Sequence, residues 1–291
     1  MTDQEQLTIG IALIPQASAR NWELVEALLE LTLESVGAQT DQAFRVVLAG
    51  HDRPRSLPQD SRFTFLQAGW PVQPPGANNE DSGRKKYAIS ELVRAQGGGL
   101  LMLLDADDWL DVRCVEAARA TLAPDDVGAL IESGFAIDLQ SLRAACLPHP
   151  RAFDRPFHRL CGSSTVARLR PAEADPLRRD PCEVLGSHHQ WMDLAREHGV
   201  ALPRLPLSGG YLINTSENHS EVHGPYADWR EAFTAAVNRE GDAIDDAFAA
   251  RFGLTVDRIG SVSKRFFPRR PAGSRARIGC RAPAAVAGSR R

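Results

Sequence analysis

Short apolar runs alternate with helically spaced segments along the first half of the chain. Residues 8–15, Thr-Ile-Gly-Ile-Ala-Leu-Ile-Pro, predict a first strand stopped by proline, in a place that suits a central strand. Asn21 can cap a helix over 22–38, whose apolar face is Leu24, Ala27, Leu28, Leu31, Leu33 and Val36. A second strand follows at 44–49 and a short third at 62–66. Pro71, Pro74, Pro75, Gly76 and two asparagines make 70–81 a loop, and a helix over about 83–96 leads to an apolar run at 100–104. Strand–helix–strand alternation predicts a largely parallel sheet covered on both faces.

Beyond that run the pattern loosens. Residues 112–122 read as helix, 127–139 contain a strand, and 147–172, rich in Pro, Arg and His, read as irregular. A helix is expected at 187–198, a strand at 210–214 and one amphipathic helix over 228–252. These patterns suggest an α/β domain over 1–225, a helical C-terminal extension over 226–260 and a basic, disordered tail over 261–291.

Charge sharpens that division. The net charge is −3, yet nine Lys or Arg and no Asp or Glu lie from Ser261 onward, leaving about −12 on residues 1–260. An acidic body argues against a nucleic-acid partner. No run approaches a membrane helix, the first residues lack a signal-peptide pattern, and five cysteines without CxxC spacing fit a reducing, cytoplasmic setting. No GxGxxG, GxxxxGK[ST], GxSxG or HExxH motif occurs.

The candidate chemistry sits where the 100–104 run meets Asp105-Ala106-Asp107-Asp108-Trp109-Leu110-Asp111. Carboxylates this close repel, and the carboxyl ends of strands in an open α/β sheet are where ligands bind. One reading is a solvated acidic turn. A calcium loop is excluded, because Leu110 stands where that motif needs glycine and a strand stands where it needs a helix. The third reading is an Asp-x-Asp site in which Asp105 and Asp107 share Mn²⁺ or Mg²⁺ with a diphosphate, hard oxygen ligands suiting such ions.

The 8–15 strand, the stretch Leu33-Glu34-Ser35-Val36-Gly37-Ala38-Gln39-Thr40 before the second strand, and the later Asp-x-Asp together resemble family-2 glycosyltransferases of the GT-A fold, well over 7–112 and more loosely over 150–220. The resemblance implies an inverting enzyme that moves a sugar from a nucleotide-diphosphate sugar donor to a hydroxyl on a glycan, lipid-linked or small-molecule acceptor. It implies a metal bridging Asp107 and the diphosphate, with His219 as a further ligand, and donor contacts by Pro15, Asp52, Arg84, Lys85, Asp105 and Ala106. Asp52 is the only carboxylate where the family has an acidic pair, and Lys86 adjoins the basic residues. Where the family places Glu-Asp before an aromatic residue, this chain has Ser187-His188-His189-Gln190-Trp191-Met192-Asp193. His188 or His189 could accept the acceptor's proton, with Glu183 and Asp193 as substitutes. A helix cap followed by two surface histidines is the plainer reading. Cys161-Gly162-Ser163-Ser164-Thr165 resembles the family's small-residue pocket segment, and Trp191 either stacks on a sugar or fills the core.

The basic tail with Phe266 and Phe267 suggests peripheral contact with anionic lipid. Two rivals stand beside the transferase: a haloacid-dehalogenase-type phosphatase with Asp105 as nucleophile, and a degenerate nucleotide-sugar-binding module.

Overall fold

A computed structural model of the chain describes residues 5–170, 188–223 and 229–268. The fold is α/β, built on a mixed six-stranded sheet flanked by helices. Strands β1 (Leu7–Ala12), β2 (Phe44–Gly50), β3 (Phe63–Gln67) and β4 (Gly99–Asp105) run parallel. Strand β5 (Gly128–Leu130) is joined to them through an antiparallel strand at Thr165–Leu169, labelled β8 below, giving the order β3-β2-β1-β4-β8-β5. β1 is internal, as its apolar run implies, with Leu7, Ile9 and Ile11 fully buried.

A second sheet contains β6 (Ser133–Asp138), β7 (Arg143–Leu147), β9 (Ser208–Ile213) and β10 (Asp242–Ala243), in the order β10-β7-β6-β9. Helix α1 (Trp22–Gly37) lies between the sheets. Its Val25, Leu29 and Leu33 pack with β1, while Leu24, Leu28 and Leu31 pack with Ile137 of β6 and Leu212 of β9. Asn21 caps it, its side-chain oxygen accepting the Leu24 N–H at 3.2 Å. Helix α2 (Glu80–Ala95) covers the opposite face of the first sheet through Ile89 and Val93. α3 (Cys114–Thr121) and α4 (Trp191–Glu197) complete the flanks, and Trp191 is a buried core side chain.

Three expectations need correction. The span 127–139 holds two strands belonging to different sheets, and the irregular span 147–172 contains β8. β8 escapes a hydropathy reading because Arg168 stands in it; that side chain is buried and answers Glu5 at 2.9 Å. The single helix expected at 228–252 is broken into α6 (Arg230–Glu240) and α7 (Asp246–Arg251), following α5 (His219–Val222). The break falls at Gly241, where a Cβ would sit 2.7 Å from the Ala144 backbone, so β10 can pair with β7 only if this position is glycine. Asp245 restarts the helix by accepting the Phe248 N–H at 2.8 Å.

The basic tail also starts later than its charge suggests. α8 (Val256–Phe266) runs through 261–266, with Ile259 and Val262 buried against the core. Its Arg258 pairs with Glu30 and Glu34 of α1, and Arg265 pairs with Glu23. Phe266 and Phe267 are partly buried on the same core. The remainder, 269–291, lies outside the described residues. Among the described residues no helix is long and apolar enough to cross a membrane, and Cys114, Cys146 and Cys161 are free thiols.

Candidate functional site

The acidic turn after β4 is the seam between the two sheets. Trp109 and Gly210 of β9 exchange backbone hydrogen bonds at 2.9 and 3.0 Å. The stretch 33–40, singled out above by resemblance, has with Thr32 just before it a plain physical role beneath the turn. Thr32 Oγ1 donates to the Ala106 carbonyl at 3.0 Å, Ser35 Oγ accepts the Leu110 N–H at 3.1 Å, and Gln39 spans the Asp111 carbonyl (2.9 Å) and the Val115 N–H (3.0 Å). All three side chains are buried, so each hydrogen bond is made without competition from water. Gln39→Ala would orphan the Val115 N–H and leave the Asp111 carbonyl with the Cys114 N–H alone, besides emptying a buried site. We expect a loss of about 3 kcal/mol, read as a lower urea midpoint at unchanged m-value.

Asp108, also fully buried, is a structural carboxylate. It accepts from Ser163 Oγ (2.6 Å), Cys161 Sγ (3.3 Å) and the Leu212 N–H (3.2 Å), joining the turn to the 161–163 segment and to β9. Ser163 Oγ in turn accepts the Asp105 N–H at 2.8 Å. The ordering left to Asp105 and Asp107 is to face outward, into a cleft of about 470 Å³ at the carboxyl ends of β1 and β4.

That cleft gathers Pro15, Asp105, Ala106, Asp107, His188 and His219 from four separate parts of the chain. Burial lifts the Asp107 carboxyl well above the usual carboxylate range, and Asp108, Asp105 and Glu221 add repulsion. Burial raises Asp108 to about 7, against the hydrogen bonds it accepts. His188 is pushed down to about 4, chiefly by burial. Its Nδ1 meets the His158 carbonyl. A carbonyl only accepts, so Nδ1 carries the proton and Nε2 keeps its lone pair. A Cβ on Gly162 would stand 3.9 Å from that Nε2 and 3.6 Å from Asp105 Oδ2, which places the two groups across one glycine. Burial also lowers His219, whose Nε2 is buried without a hydrogen-bond partner. Glu217 lines the cleft too, its carboxylate accepting the Arg20 and Asn21 N–H groups at 3.1 and 2.7 Å and tying the loop after β9 to the start of α1.

Other sequence candidates lie elsewhere. Asp52 accepts the Gln16 N–H at 2.8 Å, pinning the turn after Pro15. Lys85 is fully buried, donating to the Leu13 carbonyl (2.6 Å) and Asp81 (2.5 Å), which answers why a cation follows the start of α2. Arg84 lies over the Trp70 ring, 6.0 Å from its centroid. It is the third basic residue, Lys86, that reaches the cleft, 3.4 Å from Asp105. His189 is exposed and offers its carbonyl to Arg159. Asp193 is held by Arg159 (3.3 Å) and Arg196 (3.4 Å). Glu183 lies outside the described residues. Among the described residues no group of three or more His, Cys, Asp or Glu side chains is placed to hold a metal ion.

Sequence reasoning missed the structural part of Asp108, the His158 carbonyl that sets the His188 tautomer, and the cleft wall at 73–79. The first two depend on contacts across more than 25 residues and leave no local pattern. A search of protein families and of curated proteins finds no match to this chain.

Proposed function

We propose that this α/β chain is a GT-A-like glycosyltransferase that moves a sugar from a nucleotide-diphosphate donor to a hydroxyl acceptor. The observation that carries the reading is the convergence of Asp105, Asp107 and a neutral His188 Nε2 on one cleft at the strand ends. A phosphate-bearing donor and a proton-losing acceptor need those two chemistries side by side.

Asp105 and Asp107 offer hard oxygen donors to a divalent cation of the open kind, which takes its other ligands from the donor and water. Asp107 is crowded by Asp108, Asp105 and Glu221, so its ionised form calls for a counter-ion. The two carboxylates would hold Mn²⁺ or Mg²⁺, and His219, in the same cleft, would favour Mn²⁺ were it to join them. When bound, the cation offsets charge on the departing diphosphate. Everything else falls to the chain. Lys86 supplies a cation beside Asp105, and Gly162 leaves room between Asp105 and His188 for the reacting sugar. His188 Nε2 takes the proton of the acceptor hydroxyl as its oxygen bonds to the anomeric carbon; attack from the face opposite the leaving group inverts that centre. The setting is cytoplasmic by the thiol pattern, with a glycan or lipid-linked acceptor.

Thermal shift against UDP-, GDP- and TDP-sugars, with and without Mn²⁺, tests this. A donor present at ~100 Kd should add about 2.7 kcal/mol of stability and depend on the cation. Turnover of that donor separates an enzyme from a binding module. Silence toward every nucleotide, with phosphate release from a simple phosphomonoester, would instead favour the phosphatase.

A further inference from the structure

We propose that the strap 73–79 reads the nucleobase through the carboxamides of Gln73 and Asn78, so that donor choice is made by neutral side chains. The inference rests on the nucleotide-sugar reading above. Over the twelve residues 68–79 the chain carries no charge, although 24% of the whole is charged. Residues 73–79 form one wall of the cleft, and 71–78 are exposed. Charged groups around that wall are engaged: Asp52 with the Gln16 N–H, Lys85 with the Leu13 carbonyl, Asp81 with Lys85 and the Trp70 indole, and Arg84 over Trp70. Glu80 lies just beyond the wall in the same cleft, where its carboxylate would repel a diphosphate. Within 73–79 the polar side chains are amides. A carboxamide presents a donor and an acceptor side by side, the complement of a base edge, and it does so without drawing the diphosphate away from Lys86.

The strap is also built to hold a position. At its root His51 Nε2 meets the Trp70 carbonyl at 3.0 Å, and the Trp70 indole N–H donates to Asp81 at 3.0 Å. At its far end Asn79 turns the chain into α2 through a left-handed conformation, φ 49°. Pro71, Pro74 and Pro75 fix φ between these anchors, which lowers the entropy lost when a ligand orders the segment. Asn79 is left out of the test because its backbone conformation disfavours most replacements.

The test is calorimetric titration of the full chain with UDP, GDP, ADP, CDP and TDP, each with Mn²⁺, and with Mn²⁺–pyrophosphate. It compares wild type with Gln73→Ala and Asn78→Ala, after melting curves show both variants folded. Each substitution is expected to weaken the preferred nucleotide roughly tenfold and to flatten the order of preference. Pyrophosphate affinity should be unchanged. Variants that keep the wild-type order and affinities overturn the inference and leave the transferase reading intact. Pyrophosphate binding with no added affinity from any base overturns it in the same way. No binding of any of these ligands to wild type removes both.

Discussion

Asp107→Asn is expected to abolish sugar transfer while making the protein itself more stable. Removing a charge that is met only when donor and cation are bound should cost turnover on the order of 10³-fold. In the free protein the same charge is a burden: burial, Asp108, Asp105 and Glu221 all hold the carboxyl above its ordinary range. Asparagine keeps the shape and removes the repulsion, for a gain on the order of 1–2 kcal/mol, discounted for water at the cleft mouth. For a chain of this size that is a rise of a few degrees in melting temperature. The pH dependence has a fixed sign. Asp107 and Asp108, the latter at about 7, hold protons in the folded state that the unfolded chain releases near pH 4. Their contribution to stability is therefore present at low pH and is lost as pH rises from about 4 through 7. The asparagine variant should show a shallower fall, and a divalent cation should flatten it in wild type. A variant that melts lower, or that transfers sugar normally, would contradict this account of the turn.

His188→Asn is the second large effect. It should lower kcat by roughly 10²–10⁴-fold and leave the nucleotide Kd almost unmoved, because the imidazole is assigned to the acceptor's proton alone. The asparagine Nδ2 stands where the imidazole Nδ1 donates to the His158 carbonyl, so loss of position is separated from loss of basicity. With His188 at about 4 in the free protein, Nε2 is already unprotonated at neutral pH. An acid limb near 6.5 in kcat/KM would thus belong to another group. The depressed value also carries a stability cost on acidification: the neutral form's contribution is lost as pH falls from about 6.5 to about 4. The variant should lack that loss. An unchanged kcat, or a kcat loss matched by an equal loss of nucleotide binding, would remove His188 from the proton path.

The half of the fold that positions the site was legible because its elements are local. An apolar run closed by Pro15, the Asn21 cap and an apolar run ending at Asp105 are each readable within one element, and the parallel sheet follows from their alternation. The second sheet as a sheet, and the antiparallel β8 of the first, were not legible. β8 owes its burial to a partner far along the chain, Glu5 for Arg168, and the break at Gly241 beside β7 comes from the closeness of Ala144. The site divides the same way. Asp105, Asp107, His188 and His219 stood out by residue type and place in order. Which basic residue of Arg84, Lys85 and Lys86 faces the cleft depends on the rotation of α2, which brings the Lys85 amine to the Leu13 carbonyl and leaves Lys86 toward Asp105.

The exchanged hydrogen bonds between Trp109 and Gly210 have a consequence for anyone wishing to redesign this protein. Segments grafted onto β9 would pull directly on the acidic turn, since Leu212 on that strand also holds Asp108. Changes made on the second sheet would therefore reach the carboxylates of the turn. The wall at 73–79 has its anchors on the other sheet, in β2's turn and α2, and meets the loop after β9 where the His219 ring faces the Gly76 and Ala77 backbone. Libraries that spare Gly76 and Ala77 would vary the cleft wall with the least pull on Asp105 and Asp107.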